Sequence, residues 1–241
     1  MKGVIATNLF TPGKLSPRHD LATARLAFKC LGYDFIRRTL ICDADLQDPI
    51  LRDQWPVQGI LQRDAAVEIG GSRHLPFIQE IMDKTLITAE NENQWIGFLN
   101  SDVLVTNALF EALNKDNDIV LPVVTDIDHI DHLETGPFHK RPGDPANPMC
   151  CDGVFMRASI WMDNRDKVPD YVLGECYWDA GYLRHFGGMP KAVILDNGEC
   201  LHVKHKGGWD TGNVDWTLPH PTGFTVTGEY NLKLYYQDDG E

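Results

Sequence analysis

No stretch of the chain approaches the ~20 consecutive apolar residues that a bilayer-spanning helix needs, so no membrane span is expected in its 241 residues. The opening, Met1-Lys2-Gly3-Val4-Ile5-Ala6-Thr7-Asn8, carries one basic residue and an apolar run too short for a secretory signal. Basic charge is scarce as well. Lys and Arg number 22 against 35 Asp and Glu, a net charge of −13. That balance opposes the phosphate neutralisation on which nucleic-acid binding mostly rests, so no nucleic-acid partner is expected. The six cysteines, at 30, 42, 150, 151, 176 and 200, include no Cys-x-x-Cys pair. Without a secretory signal, reduced thiols and a cytoplasmic location are the expectation. Internal repeats, low-complexity tracts and clear linkers are missing too, which favours a single domain over residues 1–241.

What is present is an ordinary globular composition, 43% hydrophobic and 24% charged, able to bury a substantial core. The most informative stretch runs from Trp95 to Thr106. Trp95, Ile96, Phe98 and Leu99 form a nearly continuous apolar run, the mark of a strand buried on both faces. It stops at Asn100-Ser101-Asp102, and Val103-Leu104-Val105 follows at once. All three polar residues favour turns. In an α/β sheet, however, the crevice outside the strand C-termini is where ligands bind. An ionised Asp there needs a metal, a hydrogen-bond network or a cationic ligand to offset its burial. Both readings, turn and site, stand on the sequence alone.

The remaining elements read as alternating strands and helices. Residues 2–8 form a first strand. Phe10-Thr11-Pro12-Gly13 is a turn, and Ser16-Pro17 opens a helix with Leu21, Ala24, Ala27, Phe28 and Leu31 on one face, stopped by Gly32. Tyr33 to Cys42 is the second strand, completing the βαβ unit of a parallel sheet. Asp43 to Gln54 is polar loop with a short helical turn. A further strand falls at Gly59-Ile60-Leu61 or at Ala65-Ala66-Val67. Gly70-Gly71-Ser72-Arg73 breaks the chain before a helix whose Leu75, Ile78, Ile81, Met82 and Leu86 make an apolar face. After Asp102 come a short helix over 107–114 and a strand over 118–124, with Pro122 at an edge or bulge. Residues 126–149 form a long loop. Then follow a strand at 153–157, a helix starting in 159–163, a helix late in 172–186, and strands at 192–196 and 200–203. Beyond these lie turns and an aromatic stretch near Tyr235-Tyr236.

On these residues the chain resembles the GT-A glycosyltransferases, in which a central strand ends in an acidic Asp-x-Asp motif that binds a divalent metal on a donor diphosphate. Asn100-Ser101-Asp102 is a variant, with Asn at the first position. The resemblance implies an α/β, Rossmann-like single domain with a mostly parallel twisted sheet flanked by helices. Residues 1–124 would be the nucleotide-sugar half, and 125–241 the acceptor-side half and tail. It implies transfer from a nucleoside-diphosphate sugar (UDP- or GDP-linked) to a hydroxyl acceptor, a carbohydrate or another alcohol. Mn2+ or Mg2+ is the implied cofactor, a hard cation suited to oxygen ligands and phosphates. Asp102 is carried over as metal ligand, with His202 and His205 from His202-Val203-Lys204-His205 as further ligands. Thr7, Asn8, Arg73, Asn100, Ser101 and Lys204 are assigned to the donor, with Lys204 or Lys206 against the departing diphosphate.

In the segment from Gly174 to Arg184, an acid opening a helix resembles the family's general base for inverting transfer. Asp179 is preferred and Glu175 is the alternative. Four positions apart, the two would share one face of a helix. Two other readings compete. Alternating Asp126, Asp128, His129, Asp131 and His132 is metal-ligand chemistry on which a hydrolase could be built. Asn100, in turn, supports a binding protein of the same fold that has lost catalysis.

Overall fold

The computed structural model describes residues 1–9, 17–47, 57–140, 151–203 and 223–237. Its strands are β1 (Gly3–Leu9), β2 (Phe35–Cys42), β3 (Gly59–Leu61), β4 (Trp95–Leu99), β5 (Val103–Val105), β6 (Ile119–Pro122), β7 (Thr125–Ile127), β8 (Phe138–Lys140), β9 (Gly153–Arg157), β10 (Ala192–Leu195) and β11 (Cys200–Val203). Its helices are α1 (Pro17–Tyr33), α2 (Ala65–Glu68), α3 (Ile78–Leu86), α4 (Asn107–Leu113), α5 (Ala158–Asn164), α6 (Trp178–Gly187) and α7 (Val226–Gln237). Seven strands form one sheet in the order β10-β6-β9-β4-β1-β2-β3. All its neighbours pair in parallel except β9, which runs antiparallel to β4 and β6. Helices cover both faces, so the expected α/β architecture is the one observed. No helix among the described residues is long and apolar enough to cross a membrane.

β4 lies inside the sheet between β1 and β9, and all five of its residues are buried. Its side chains alternate between two cores. Ile96 and Phe98 join Ile78, Ile81 and Met82 of α3, Trp161 of α5, and Trp178, Tyr182 and Phe186 of α6. Trp95 and Leu99 join Leu26 and Cys30 of α1 and Leu109, Phe110 and Leu113 of α4 on the opposite face. Gly97 lets β9 come close: a Cβ there would run into the Val154 carbonyl and the Phe155 ring.

A second sheet, in the order β5-β11-β7-β8, sits beside the first. β5 pairs antiparallel with β11, which runs parallel to β7, and β7 pairs antiparallel with β8. Leu104, Ile127 and Leu201 of this sheet pack against Ala22 of α1. Residues 126–140 are therefore not all loop, as their sequence implies; two three-residue strands and a short 3-10 turn at Ile130–Leu133 occupy them. Strands that short show no periodicity of their own; β7 is held by register with β11 and β8 by register with β7.

Other local expectations are corrected in the same way. The buried face of α1 is Ala22, Thr23, Leu26 and Cys30, while Phe28 and Leu31 are exposed. Both sets have helical spacing, and contact with the sheets selects between them. α1 also runs past Gly32 to Tyr33, and Asp34 takes the left-handed turn at φ 64°. Of the two places for a strand, Gly59–Leu61 holds β3, whereas Ala65–Glu68 is helical under an Asp64 cap. Pro122 is not on an edge. β6 is an interior strand, and Pro122 is its last residue. The stretch around Tyr235-Tyr236 lies in a helix, α7, fastened by Asn231: its Oδ1 accepts from the Val172 N–H, and its Nδ2 donates to the carbonyls of Val172 and Cys176.

Candidate active site

The strand that ends in Asn100 delivers its polar turn to the C-terminal edge of the parallel sheet. The Val103 N–H donates to the Asn100 carbonyl at 3.2 Å, so Asn100-Ser101-Asp102 is a turn as well as a strand exit. Asn100 is also bound to the strand alongside. Its N–H donates to the Asp152 carbonyl at 2.9 Å, and its Nδ2 donates to Asp152 Oδ1 at 3.0 Å. Asp152 escapes a reading of the sequence because it precedes β9; the antiparallel direction of β9 places that strand's start beside the end of β4. A carboxylate thus stands next to the Asn that occupies the first motif position.

Asp102 meets His202 where the two sheets join. His202 is paired in register with Val103 of β5 on one side and Asp126 of β7 on the other. Its Nε2 lies 3.4 Å from Asp102 Oδ2, and its Nδ1 lies 2.9 Å from Asp126 Oδ1. The side chains of all three are more than four-fifths buried. Two carboxylates therefore flank one imidazole, which provides oxygen and nitrogen donors of the kind divalent cations take. Among the described residues there is no group of three or more His, Cys, Asp or Glu side chains that could hold a metal ion alone. A cation on Asp102 and His202 would need oxygens from a ligand or water to complete its shell. Lys204, His205 and Lys206 lie outside the described residues.

The segment from 126 to 132 does not act as one cluster. Asp126 goes to His202, Asp128 pairs with His139 at 3.0 Å, and His129 pairs with Asp131 at 3.1 Å on the exposed surface. Only Asp126 lies in a strand, β7; Asp128 and His129 follow it and Asp131 and His132 lie in the 3-10 turn, so the change of backbone separates residues that are adjacent in sequence.

Thr7 and Asn8 end up at the same sheet edge, since Thr7 of β1 is in register with Leu99 of β4. They are 1% and 3% exposed, and Thr7 Oγ1 and both amide atoms of Asn8 have no hydrogen-bond partner among the described residues. Thr39, opposite Thr7 on β2, has an unpartnered hydroxyl as well. A buried polar group left unpaired costs ~1–3 kcal/mol, so such a set is suited to a ligand or ordered water.

Glu175 and Asp179 do not share a helix face. α6 begins at Trp178, after Tyr177 has taken a left-handed φ of 71°, so Glu175 lies outside the helix. The residue is 3% exposed, and its carboxylate accepts from Arg73 Nη2 at 2.7 Å and from Thr227 Oγ1 of α7 at 2.9 Å. Arg73 also donates to the Gly174 carbonyl at 2.8 Å. This arrangement fastens the entry of α6 to α7. Asp179 sits in the first turn of α6, where the positive end of the helix favours an anion, and its Oδ1 accepts from the Ala180 N–H at 2.8 Å. The Cys151 thiol donates to the Asp179 carbonyl at 3.3 Å. Burial first, and then the carboxylates of Asp179 and Asp152, push that thiol well above its ordinary range. Asp179 is therefore one residue removed from the Asn100–Asp152 contact.

No family model matches the chain, and no curated protein is significantly similar to it. Among solved structures it is similar to a glycosyltransferase involved in the glycosylation of the major capsid of PBCV-1, at 10% identity over 84% of this chain and 93% of that one, with a TM-score of 0.43. It is also similar to mannose-6-phosphate isomerase from Helicobacter pylori, at 13% identity over 70% of this chain and 75% of that one, with a TM-score of 0.39. At these identities and scores neither likeness says what this chain does.

Proposed function

We propose that the chain transfers a glycosyl group from a UDP- or GDP-linked sugar to a hydroxyl acceptor, with inversion at the anomeric carbon. The observation that carries the reading is the meeting of Asp102 and His202 at the C-terminal edge of the parallel sheet. One strand away are the buried side chains of Thr7 and Asn8, which have no hydrogen-bond partner among the described residues. Thr7 and Thr39, register partners on one face of the sheet, would bind the nucleoside, and Asn8, on the other face, would reach the donor at the strand end. Asp102 Oδ2 and His202 Nε2 would hold manganese or magnesium, with oxygens of the donor diphosphate filling other positions. When bound, such a cation neutralises the charge that develops on the leaving diphosphate. Asn100 would contact the donor and hold Asp152 in place.

Asp179 is the general base in this reading. It takes the proton of the acceptor hydroxyl as that oxygen bonds to the anomeric carbon. The bond from that carbon to the diphosphate oxygen breaks, and the electron pair departs with the nucleotide. Glu175 is the weaker choice for this role, because Arg73 and Thr227 already engage its carboxylate.

Release of free nucleotide from a panel of UDP- and GDP-sugars, with Mn2+ and with EDTA, tests the proposal. Release from one donor that stops in EDTA is expected. Tight nucleotide binding with no release from any donor, under any acceptor tried, would make this a binding protein instead.

A further inference from the structure

Asp126 belongs to the segment that the sequence offers for a metallohydrolase, and the fold moves it elsewhere. Parallel register sets Asp126 of β7 beside His202 of β11, and antiparallel register sets Val103, the neighbour of Asp102, on the other side. The imidazole thus has one carboxylate at each ring nitrogen, at unequal distances of 2.9 Å to Asp126 and 3.4 Å to Asp102. His202 is 8% exposed, so little space is left for its ring to turn.

We infer that Asp126 is a positioning residue for His202: it fixes the ring with Nδ1–H donated to Oδ1, so that Nε2 presents its lone pair beside Asp102. The inference rests on the metal role given to Asp102 and His202 above. An ionised carboxylate can only accept, so the close Nδ1 contact places a proton on that nitrogen. A neutral imidazole protonated at Nδ1 has Nε2 as its ligating atom, and a carboxylate on the far nitrogen also raises the basicity of the ligand. Without Asp126 the other tautomer, with the proton on Nε2, competes, and that form has no lone pair to offer on the Asp102 side. Asp128 and His139 provide an internal comparison. They form a carboxylate–imidazole pair at 3.0 Å close by, between β8 and the residue that follows β7, and both side chains are about half exposed.

The probe is Mn2+ alone, titrated by electron paramagnetic resonance into the wild type and into Asp126→Ala, Asp126→Asn and Asp128→Ala, each checked for folding by circular dichroism. Loss of an outer carboxylate of this kind typically weakens metal binding ~10–100-fold. Asp126→Ala should show a loss of that size. Asp126→Asn, whose amide oxygen can still accept from Nδ1, should recover most of it, and Asp128→Ala should bind as the wild type does. Unchanged binding by Asp126→Ala, or an equal loss in Asp128→Ala, overturns the inference. Equal losses in Asp126→Ala and Asp126→Asn would make charge rather than positioning the cause, and overturn it too. Should Asp126→Ala not fold, nitrogen-15 resonances of the wild type decide, with His202 identified by its absence in His202→Gln. A neutral ring with its proton on Nδ1 upholds the inference, and a ring protonated on Nε2, alone or together with Nδ1, overturns it. A wild type that binds no Mn2+ removes the metal role and this inference together, while nucleotide release judges sugar transfer separately.

Discussion

Asp102 comes from the turn between the two sheets and His202 from a strand of the small sheet, yet Oδ2 and Nε2 lie 3.4 Å apart, in a corner where both side chains are largely buried. The turn after β4 supplies one and the middle of β11 the other. A site built from a strand exit and a register pair is placed by backbone hydrogen bonds rather than by flexible loops. That rigidity is what binding at a fixed geometry requires.

Replacing Asp179 by Asn keeps its size and its place in the first turn of α6 while removing the base. Turnover should fall by ~10²–10⁴ with donor affinity unchanged, as is typical when a general base is lost. Steady-state rates with calorimetry on the same protein check this. Near-full turnover in Asp179→Asn would exclude it as the base.

Glu175→Gln should act on stability first. The change removes the charge that faces Arg73, while the bond from Thr227 can remain. Arg73 is partly exposed and keeps the Gly174 carbonyl, so the loss should be ~1–3 kcal/mol rather than the full cost of breaking a deeply buried pair. Thermal melts should drop by several degrees. A variant that melts like the wild type but no longer turns over would give Glu175 the role assigned here to Asp179.

At Gly97 the prediction is steric. An added Cβ would meet the Val154 carbonyl, part of a backbone that β4 and β9 hold in place. Gly97→Ala should cost about 2 kcal/mol or more, the range for overpacked interiors. Denaturant titration measures it, and an unchanged midpoint would contradict the β4–β9 spacing.

The five described cysteines are free and buried. Burial pushes the Cys30 thiol up to about 12, against an ordinary value of 9.0, with Arg37 opposing. Cys176 is also pushed up to about 12, by burial first and then by Glu175 and Asp179. A group whose folded pKa is raised contributes stability that is full below the unfolded value and is lost as pH rises through the folded one. Stability should therefore decline between about pH 9 and pH 12. The same five thiols should resist an aromatic disulfide reagent in the native protein and react once it is unfolded. Rapid native reaction at any of them would be contrary to this packing.

The sequence makes some of this architecture legible and hides the rest for identifiable reasons. β4 is readable because Trp95–Leu99 is a short, nearly continuous apolar run bounded by polar residues, the length and pattern of a strand buried on both faces. The α3 face is readable because Ile78, Ile81 and Met82 have a single helical alignment. α1 offers two such alignments, and the buried one contains Thr23 and Cys30 rather than Phe28 and Leu31. For the site, Asp102 can be picked out from its place at a strand exit and His202 from the resemblance of the late His202-Val203-Lys204-His205 stretch. Their contact with Asp126 cannot, because it depends on how β7 pairs with β11, and three-residue strands carry no pattern that sets register. Asp152 is hidden for a similar reason: its place next to Asn100 follows from the direction of β9. The shared helix face expected of Glu175 and Asp179 fails because the left-handed turn at Tyr177 starts α6 after Glu175.

The most direct test of sugar transfer at this site is isothermal calorimetry of UDP, GDP and their sugars, with and without Mn2+, on the wild type and on Asp102→Ala and His202→Ala. One nucleotide and its sugar should bind the wild type in the presence of Mn2+, and each substitution should weaken that binding while the protein stays folded. If no nucleotide binds under any metal condition, or if binding is indifferent to both Asp102 and His202, the site does not do what is proposed for it.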